Sequence, residues 1–257
     1  MKKFLIASVV MAAVALLGAS SARATVFASD SFTYGNGDLP TQSSGVWSNI
    51  SPATGAMDVQ VVNDQAEVSG ARTGDDWIKL TGTPHSNDKL YAGFDFEFTG
   101  LPGAANTTYF ANFAASSSTF WAKVFGTNDG GQVKIGITGQ ANTATSVWAS
   151  DIALNSWHHI VTEVDQTDGW PATIKLWLDP SSEGSTFIAP NDNVFSTNQN
   201  IIAFLLRESN TPGSEGTILV DNLVVASTFS EVIPEPSTIL LVGTGLLGLL
   251  AIRRRRS

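Results

Sequence analysis

Apolar residues recur at every second position through much of the chain. Between Leu90 and Gly100, Leu90, Ala92, Phe94, Phe96 and Phe98 fall on one side. Tyr91, Asp95, Glu97 and Thr99 fall on the other, and Gly100 and Pro102 end the run. Period two marks a half-buried strand. The stretch "GGQVKIGITG" alternates likewise, with Val133, Ile135 and Ile137 on one face. In "ATIKLWLDP", Ile174, Leu176 and Leu178 point inward, Lys175 and Trp177 point outward, and Pro180 stops the strand. "GTILVDNLVVAST" is a more continuous buried strand. Between the two terminal apolar runs no segment carries a 3.6-residue stripe. Many short strands parted by Gly, Pro and Asn turns predict an all-β fold, a jelly-roll-like β-sandwich. No composition break, long linker or repeat divides it. The pattern predicts one domain over residues 25–226, followed by a short stalk over 227–233.

The two ends follow other rules. Lys2 and Lys3 precede an almost wholly apolar run from Phe4 to Gly18, and Ala22-Arg23-Ala24 places small residues at a cleavage site. This is the layout of a secretory signal peptide over residues 1–24, with mature protein starting near Thr25, or near Arg23 if cutting follows Ala22. At the other end Pro234, Glu235 and Pro236 lead into Ser237–Ile252, whose only polar side chains are the hydroxyls of Ser237, Thr238 and Thr244. As a helix this run spans about 24 Å at 1.5 Å per residue, a little short of the roughly 30 Å hydrocarbon core. Gly243, Gly245 and Gly248 suit a membrane helix. Arg253, Arg254, Arg255 and Arg256 hold the terminus on the cytoplasmic side, which puts the body outside. The two prolines keep the preceding segment extended and open to a processing enzyme.

Composition changes this picture in two ways. The chain has no cysteine, so an exported fold must be held by core burial. The formal charge of −9 understates the acidity of the body, because seven of the fourteen basic residues sit in the termini. Thr25 to Ile233 carries 22 acids against seven bases, a net of −15. With no basic stripe to meet phosphates, nucleic acid is excluded as a partner. Divalent cations and neutral glycans stay open.

Pro234-Glu235-Pro236, the apolar run and the arginine cluster, in that order at the C-terminus, resemble the PEP-CTERM sorting signal of exported bacterial proteins. The resemblance implies recognition by an exosortase, a membrane-embedded cysteine transpeptidase or protease, in an exopolysaccharide-making bacterium of Gram-negative type. It implies a precursor anchored in the cytoplasmic membrane, then a product at the cell surface or in the extracellular matrix. A plain single-span anchor would account for the span and the arginines but not for Pro-Glu-Pro. Within the body, "SWHHIVTEVDQTDGWPATIKLWLDP" resembles the paired strands of laminin-G-like and concanavalin-like jelly rolls, through Trp157-His158-His159-Ile160-Val161 and then Ile174, Leu176, Leu178 and Asp179. "VDNLVV" and "ASDSFTYGNGDL" resemble their last and first strands. The extra Trp170-Pro171 departs from the tight family hairpin.

The candidate chemistry is sparse. Glucanases on this fold carry Glu-x-Asp-x-x-Glu, and retaining glycosidases need two carboxyls about 5–5.5 Å apart. Glu163 and Asp165 share a strand face here, but the third position is Asp168, set before Gly169 in a turn. His158 and His159 lie on opposite faces, so they form no joint metal site. There is no Gly-x-Ser-x-Gly elbow and no phosphate-binding glycine loop. Among seven tryptophans, Trp148, Trp170 and Trp177 are candidates for exposure, and Trp170 and Trp177 for stacking on a sugar ring. Jelly rolls of this kind resemble one another in a structural calcium site near the first and last strands. That implies Asp30 and Asp221 as ligands, with Asp75-Asp76 as a weaker alternative. The reading is a non-catalytic, exosortase-sorted surface or matrix protein associated with exopolysaccharide. The alternatives are a carbohydrate-binding module and a concanavalin-like glycoside hydrolase.

Overall fold

The computed structural model describes residues 24–50, 58–69, 72–103, 108–168, 171–192, 199–208 and 216–234. The expected signal peptide and membrane helix lie outside the described residues. Among the described residues no helix is long and apolar enough to cross a membrane.

Among the described residues sixteen strands form two antiparallel sheets. In chain order they are β1 (Val26–Asp30), β2 (Gly37–Asp38), β3 (Trp47–Asn49), β4 (Gln60–Val62), β5 (Gln65–Ser69), β6 (Asp75–Lys79), β7 (Lys89–Gly100) and β8 (Tyr109–Ser116), then β9 (Thr119–Asp129), β10 (Gln132–Thr138), β11 (Ser146–Val147), β12 (His158–Asp165), β13 (Thr173–Leu178), β14 (Phe187–Ile188), β15 (Ala203–Arg207) and β16 (Thr217–Ala226). The larger sheet runs β14-β13-β12-β7-β16-β5-β4-β2, with β1 added beside β16. The smaller runs β11-β10-β9-β8-β15-β6-β3. The expected all-β sandwich is the fold, and its first and last strands pair directly, with Asp30 opposite Leu223.

The alternation read from the sequence sets the layers. Leu90, Ala92, Phe94, Phe96 and Phe98 of β7 enter the space between the sheets together with Val133, Ile135, Ile137, Ile174 and Leu176. Phe94 meets Phe110 at 6.3 Å and Phe204 at 5.8 Å, and Phe98 meets Phe110 edge-on at 5.9 Å. These are offset and edge-to-face ring pairs, which add specific geometry to apolar burial. Gly126 on β9 gives Phe98 its room, since a Cβ there would overlap the phenyl ring. The hairpin from β12 to β13 forms in the expected place, closing on Asp165 opposite Thr173.

Asp75 and Asp76, the weaker calcium alternative, lie in β6 and face opposite ways. Asp76 is fully buried. Its Oδ2 accepts the Val59 N–H at 2.9 Å, while Oδ1 has no hydrogen-bond partner. Burial, reinforced by nearby Asp58, pushes its carboxyl up to about 8. Burial likewise raises Asp75 to about 6 against the opposing charge of Arg207. In both cases the folded state keeps a proton that the unfolded chain gives up near pH 4. Their stabilising contribution is therefore complete below that pH and is lost as pH rises through the folded values. Thermal stability is expected to fall between pH 5 and pH 8. Asp76→Asn, which keeps an acceptor for Val59, should flatten this slope and add about 1–3 kcal/mol at pH 8, the cost of a buried polar group left unpaired. Melting curves of the two proteins at both pH values check this; an equal loss of stability in the variant at pH 5 and pH 8 would refute it.

Candidate functional site

After β16 the chain does not leave the domain. The residues expected as a stalk, 227–233, cross the outer face of the larger sheet and pack there. The Ser227 N–H donates to the Thr25 carbonyl at 3.0 Å, and the Thr25 N–H donates to Ser227 Oγ at 3.0 Å. A single 3-10 turn, Phe229–Glu231, follows. Phe229 sets its ring edge-on against Trp177 at 5.0 Å and Tyr91 at 5.7 Å. Val232 is buried in the same cluster with Val161 and Ala226. The Val232 carbonyl lies 2.7 Å from His159 Nε2, and His159 Nδ1 lies 2.7 Å from Asp95 Oδ1. Asn222 Nδ2 donates to the second oxygen of Asp95 at 2.9 Å. The strap seats only because β7 carries glycine at position 93, where a Cβ would overlap the Val232 carbonyl oxygen. Pro234 is the last described residue and is exposed beside a cleft of about 250 Å³ floored by Asp95, His159 and Val224.

This strap corrects the expectation for Trp177. The side chain does point away from the inter-sheet core, as the alternation predicts, but Phe229 and Tyr91 cover it and it is 0% exposed. It offers no face to a sugar. Trp170 lies outside the described residues. Trp148 is half-buried and lines a cleft of about 280 Å³ with Lys134 and Asn128.

The carboxylate trio does not assemble. Glu163 is fully buried, and Lys175 on the adjacent strand donates to its Oε1 at 2.8 Å. Asp165 pairs with Lys89 at 2.7 Å and accepts the Thr167 N–H at 2.9 Å. Asp168 is exposed at the turn. Each strand carboxylate is answered by a lysine directly across the ladder.

The calcium pair fares similarly. The ladder of β1 and β16 brings Asp30 and Asp221 into the same region, as expected. Asp30 turns inward, however. Its Oδ1 accepts the Phe32 N–H at 2.7 Å, and its Oδ2 accepts the Tyr34 hydroxyl at 2.9 Å and the Trp47 indole N–H at 2.6 Å. Burial and that hydrogen bond lift the Tyr34 hydroxyl to about 12. Asp221 Oδ1 takes the Asn222 N–H at 2.7 Å. A calcium ion needs six to eight free oxygens, and the donors around Asp30 already occupy its carboxylate. Among the described residues no group of three or more His, Asp or Glu could hold a metal. The histidines sit on opposite faces, as read. His158 Nδ1 lies 2.7 Å from Asp179 Oδ2, His159 serves the strap, and His85 is buried beside Asp88.

The alternation of the smaller sheet builds a different constellation on its outer face. Ile78 and Leu80, Ala122 and Val124, Val133 and Ile135, and Leu206 all enter the core. Lys79, Lys123, Lys134 and Arg207 therefore point outward, and these are four of the seven bases of the body. Arg207 stands opposite Asp75 in the ladder, next to the pair Leu205 and Trp77. Its guanidinium carbon lies 4.2 Å from the Tyr109 ring centre. Its Nε is buried without a hydrogen-bond partner, and Asp75 Oδ1 is 3.7 Å away, beyond hydrogen-bonding reach. Asn112 Oδ1 on the neighbouring strand is also buried and unpaired. The Trp77 indole donates to Ser48 Oγ at 2.8 Å, which fixes its plane, and the Lys79 ammonium sits 5.3 Å from its ring centre. Lys123 is spoken for: its ammonium donates to the carbonyls of Gln140 at 2.7 Å and Ala141 at 3.1 Å. Burial and then the Arg207 charge bring it down to about 8. Reading for motifs passed over this face, because its members come from strands far apart in sequence. The available signal was the phase of each lysine and arginine within its strand.

With the junction placed, the tail can be identified. Residues 232–256 match the PEP-CTERM protein-sorting motif. No curated protein sequence matches the chain. Among solved structures the chain is similar to a mutant of the alginate lyase Aly36B, at 11% identity and TM-score 0.49, over 79% of this chain and 96% of that one. It is similar to the carbohydrate recognition domain of Emp47p, at 9% identity and TM-score 0.49, over 82% and 99%. It is also similar to an endo-β-1,4-glucuronan lyase from the fungus Trichoderma reesei, at 14% identity and TM-score 0.44, over 79% and 98%. These are likenesses of fold.

The PEP-CTERM match begins at Val232, inside the packed strap, so the sorting signal starts where the sandwich is still being held. Gly93→Ala should expel the strap while leaving the inter-sheet core intact. Expected are a red-shifted tryptophan fluorescence, as Trp177 meets water, and faster proteolysis after Ala226, with a far-UV spectrum still dominated by strand. Unchanged fluorescence and proteolysis would show that the strap contributes no fixed contact.

Proposed function

We propose that the chain is an exported, exosortase-sorted surface or matrix protein whose sandwich associates with exopolysaccharide by binding and not by turnover. The observation that carries this reading is the PEP-CTERM motif directly continuous with a sandwich that closes at the same place. The motif implies export, a precursor held at the cytoplasmic membrane and processing there by an exosortase. The domain order completes the reading: signal peptide over 1–24, sandwich from 25, and a sorting tail from Pro234 with its membrane helix over 237–252. A non-catalytic role fits the strand carboxylates, since Glu163 and Asp165 are each neutralised by a lysine, and Glu163 is closed off from solvent. General acid–base work needs a carboxyl that can reach its substrate.

Intact mass of the native exported form tests the sorting. The expected product starts near Thr25 and lacks Ser237 to Ser257. Extracellular material that still carries Arg253 to Arg256 would leave a plain membrane anchor in place of a sorted protein. The same material, incubated with β-glucans, should release no reducing ends; release that Glu163→Gln abolishes would overturn the non-catalytic role.

A further inference from the structure

We infer that the outer face of the smaller sheet, around Arg207 and Trp77, is a binding site for a carboxylated polysaccharide, a chain carrying uronic acid units. The inference rests on the proposed association with exopolysaccharide and specifies its chemistry.

Charge segregation comes first. The body carries three times as many acids as bases, yet four of its seven bases share this one face. The acids beside them are Asp75, which is mostly buried, and Asp129 and Asp151, which engage Lys134 at 2.6 Å and 3.8 Å, so the attraction centres on Lys79 and Arg207. An anionic ligand repelled elsewhere on the molecule meets attraction here.

The second ground is the state of Arg207. It is held in place by the Tyr109 ring and the Asp75 charge, and its side chain is a quarter exposed. A guanidinium left with unused donors at a partly desolvated surface is costly, and a planar carboxylate offers two parallel acceptors that match its fork.

The third ground is the aromatic. Trp77 is partly exposed and fixed by Ser48, and it lies diagonally across the ladder from Arg207, about two residues or ~7 Å along the strand. An indole at that distance can carry the apolar face of a neighbouring sugar ring. Carboxylate is favoured over sulfate or phosphate esters because only one fork is free. Lys123 is committed to Gln140 and Ala141, and Asp75 would oppose a denser charge.

The test measures retention of the exported protein on polygalacturonate, on the same polymer after carboxyl reduction, and on dextran sulfate. Expected is retention on polygalacturonate that weakens with salt and drops at least about tenfold on the carboxyl-reduced polymer, as loss of a charge-assisted hydrogen-bond pair requires. Arg207→Lys, which keeps the charge but not the fork, should lose about as much. Lys79→Ala, at an exposed position outside the core, should weaken retention several-fold with an unchanged melting temperature, so the inference stays testable if the arginine variant folds poorly. Retention on the carboxyl-reduced polymer that equals the original overturns the carboxylate assignment while leaving exopolysaccharide association standing. Preference for dextran sulfate, or indifference to both substitutions, overturns it as well. No retention on any polymer sinks both readings.

Discussion

Both faces of the larger sheet are organised from β7. Its alternation sends Phe94, Phe96 and Phe98 into the space between the sheets. The opposite parity sends Tyr91, Gly93 and Asp95 to the outer face, where they receive Phe229, Val232 and His159. A slip of one residue would exchange these two sets. The phenyl rings would then meet the strap, and the aspartate would enter the core without a partner. A chain with no cysteine has no covalent means of correcting such a slip. Each buried phenylalanine contributes about 1.5–3 kcal/mol, a large share of the marginal stability of a domain. The pairing of β7 with both β12 and β16 transmits that register to the rest of the sheet.

The strand pattern was legible residue by residue, because it depends on period two alone. Leu90 to Phe98, Val133 to Ile137 and Ile174 to Leu178 stand on the faces that the sequence implies. What period two cannot report is what lies over an outward face. Trp177 was correctly placed outside the inter-sheet core, and a second small core closes over it, built by a segment about 50 residues later. Asp30 shows the same limit. Its strand was right, yet its oxygens are claimed by Tyr34 and by Trp47, and the indole donor comes from 17 positions further on. The sorting motif needed no such context, since its three parts are contiguous and their order carries the information.

The acidity of the body also reads differently once the faces are separated. Summed over the chain it argues against any polyanionic partner. Resolved by strand parity, the bases of β6, β9, β10 and β15 gather on one side of one sheet. Lys89 and Lys175 are used internally, against Asp165 and Glu163 on the other sheet. Arg72 is used against Glu67. Screening confines exposed charges to a reach of roughly 8–10 Å at physiological salt. The face of a sheet is therefore a more relevant unit than the net charge for a ligand that lies along it.

The strap limits how the precursor can sit at the membrane. Thr25 and Ser227 are joined by two backbone-anchored hydrogen bonds, so the expected N-terminal cleavage point and the start of the strap share one end of the sandwich. Val232 is fixed on Gly93, and the apolar run begins at Ser237. Five residues of fully extended chain reach at most about 17–18 Å. In the proposed precursor, with the run from Ser237 in the membrane, a seated strap would hold the folded domain within that distance of the bilayer, and an exosortase gripping Pro-Glu-Pro would have to enter a gap comparable to half a bilayer. Unseating residues 227–232 adds about 20 Å of slack, but it costs the burial of Phe229 and Val232 and uncovers Trp177. Under the proposed sorting, access to the motif would be coupled to the small aromatic cluster of Phe229, Val232 and Trp177 on the sandwich.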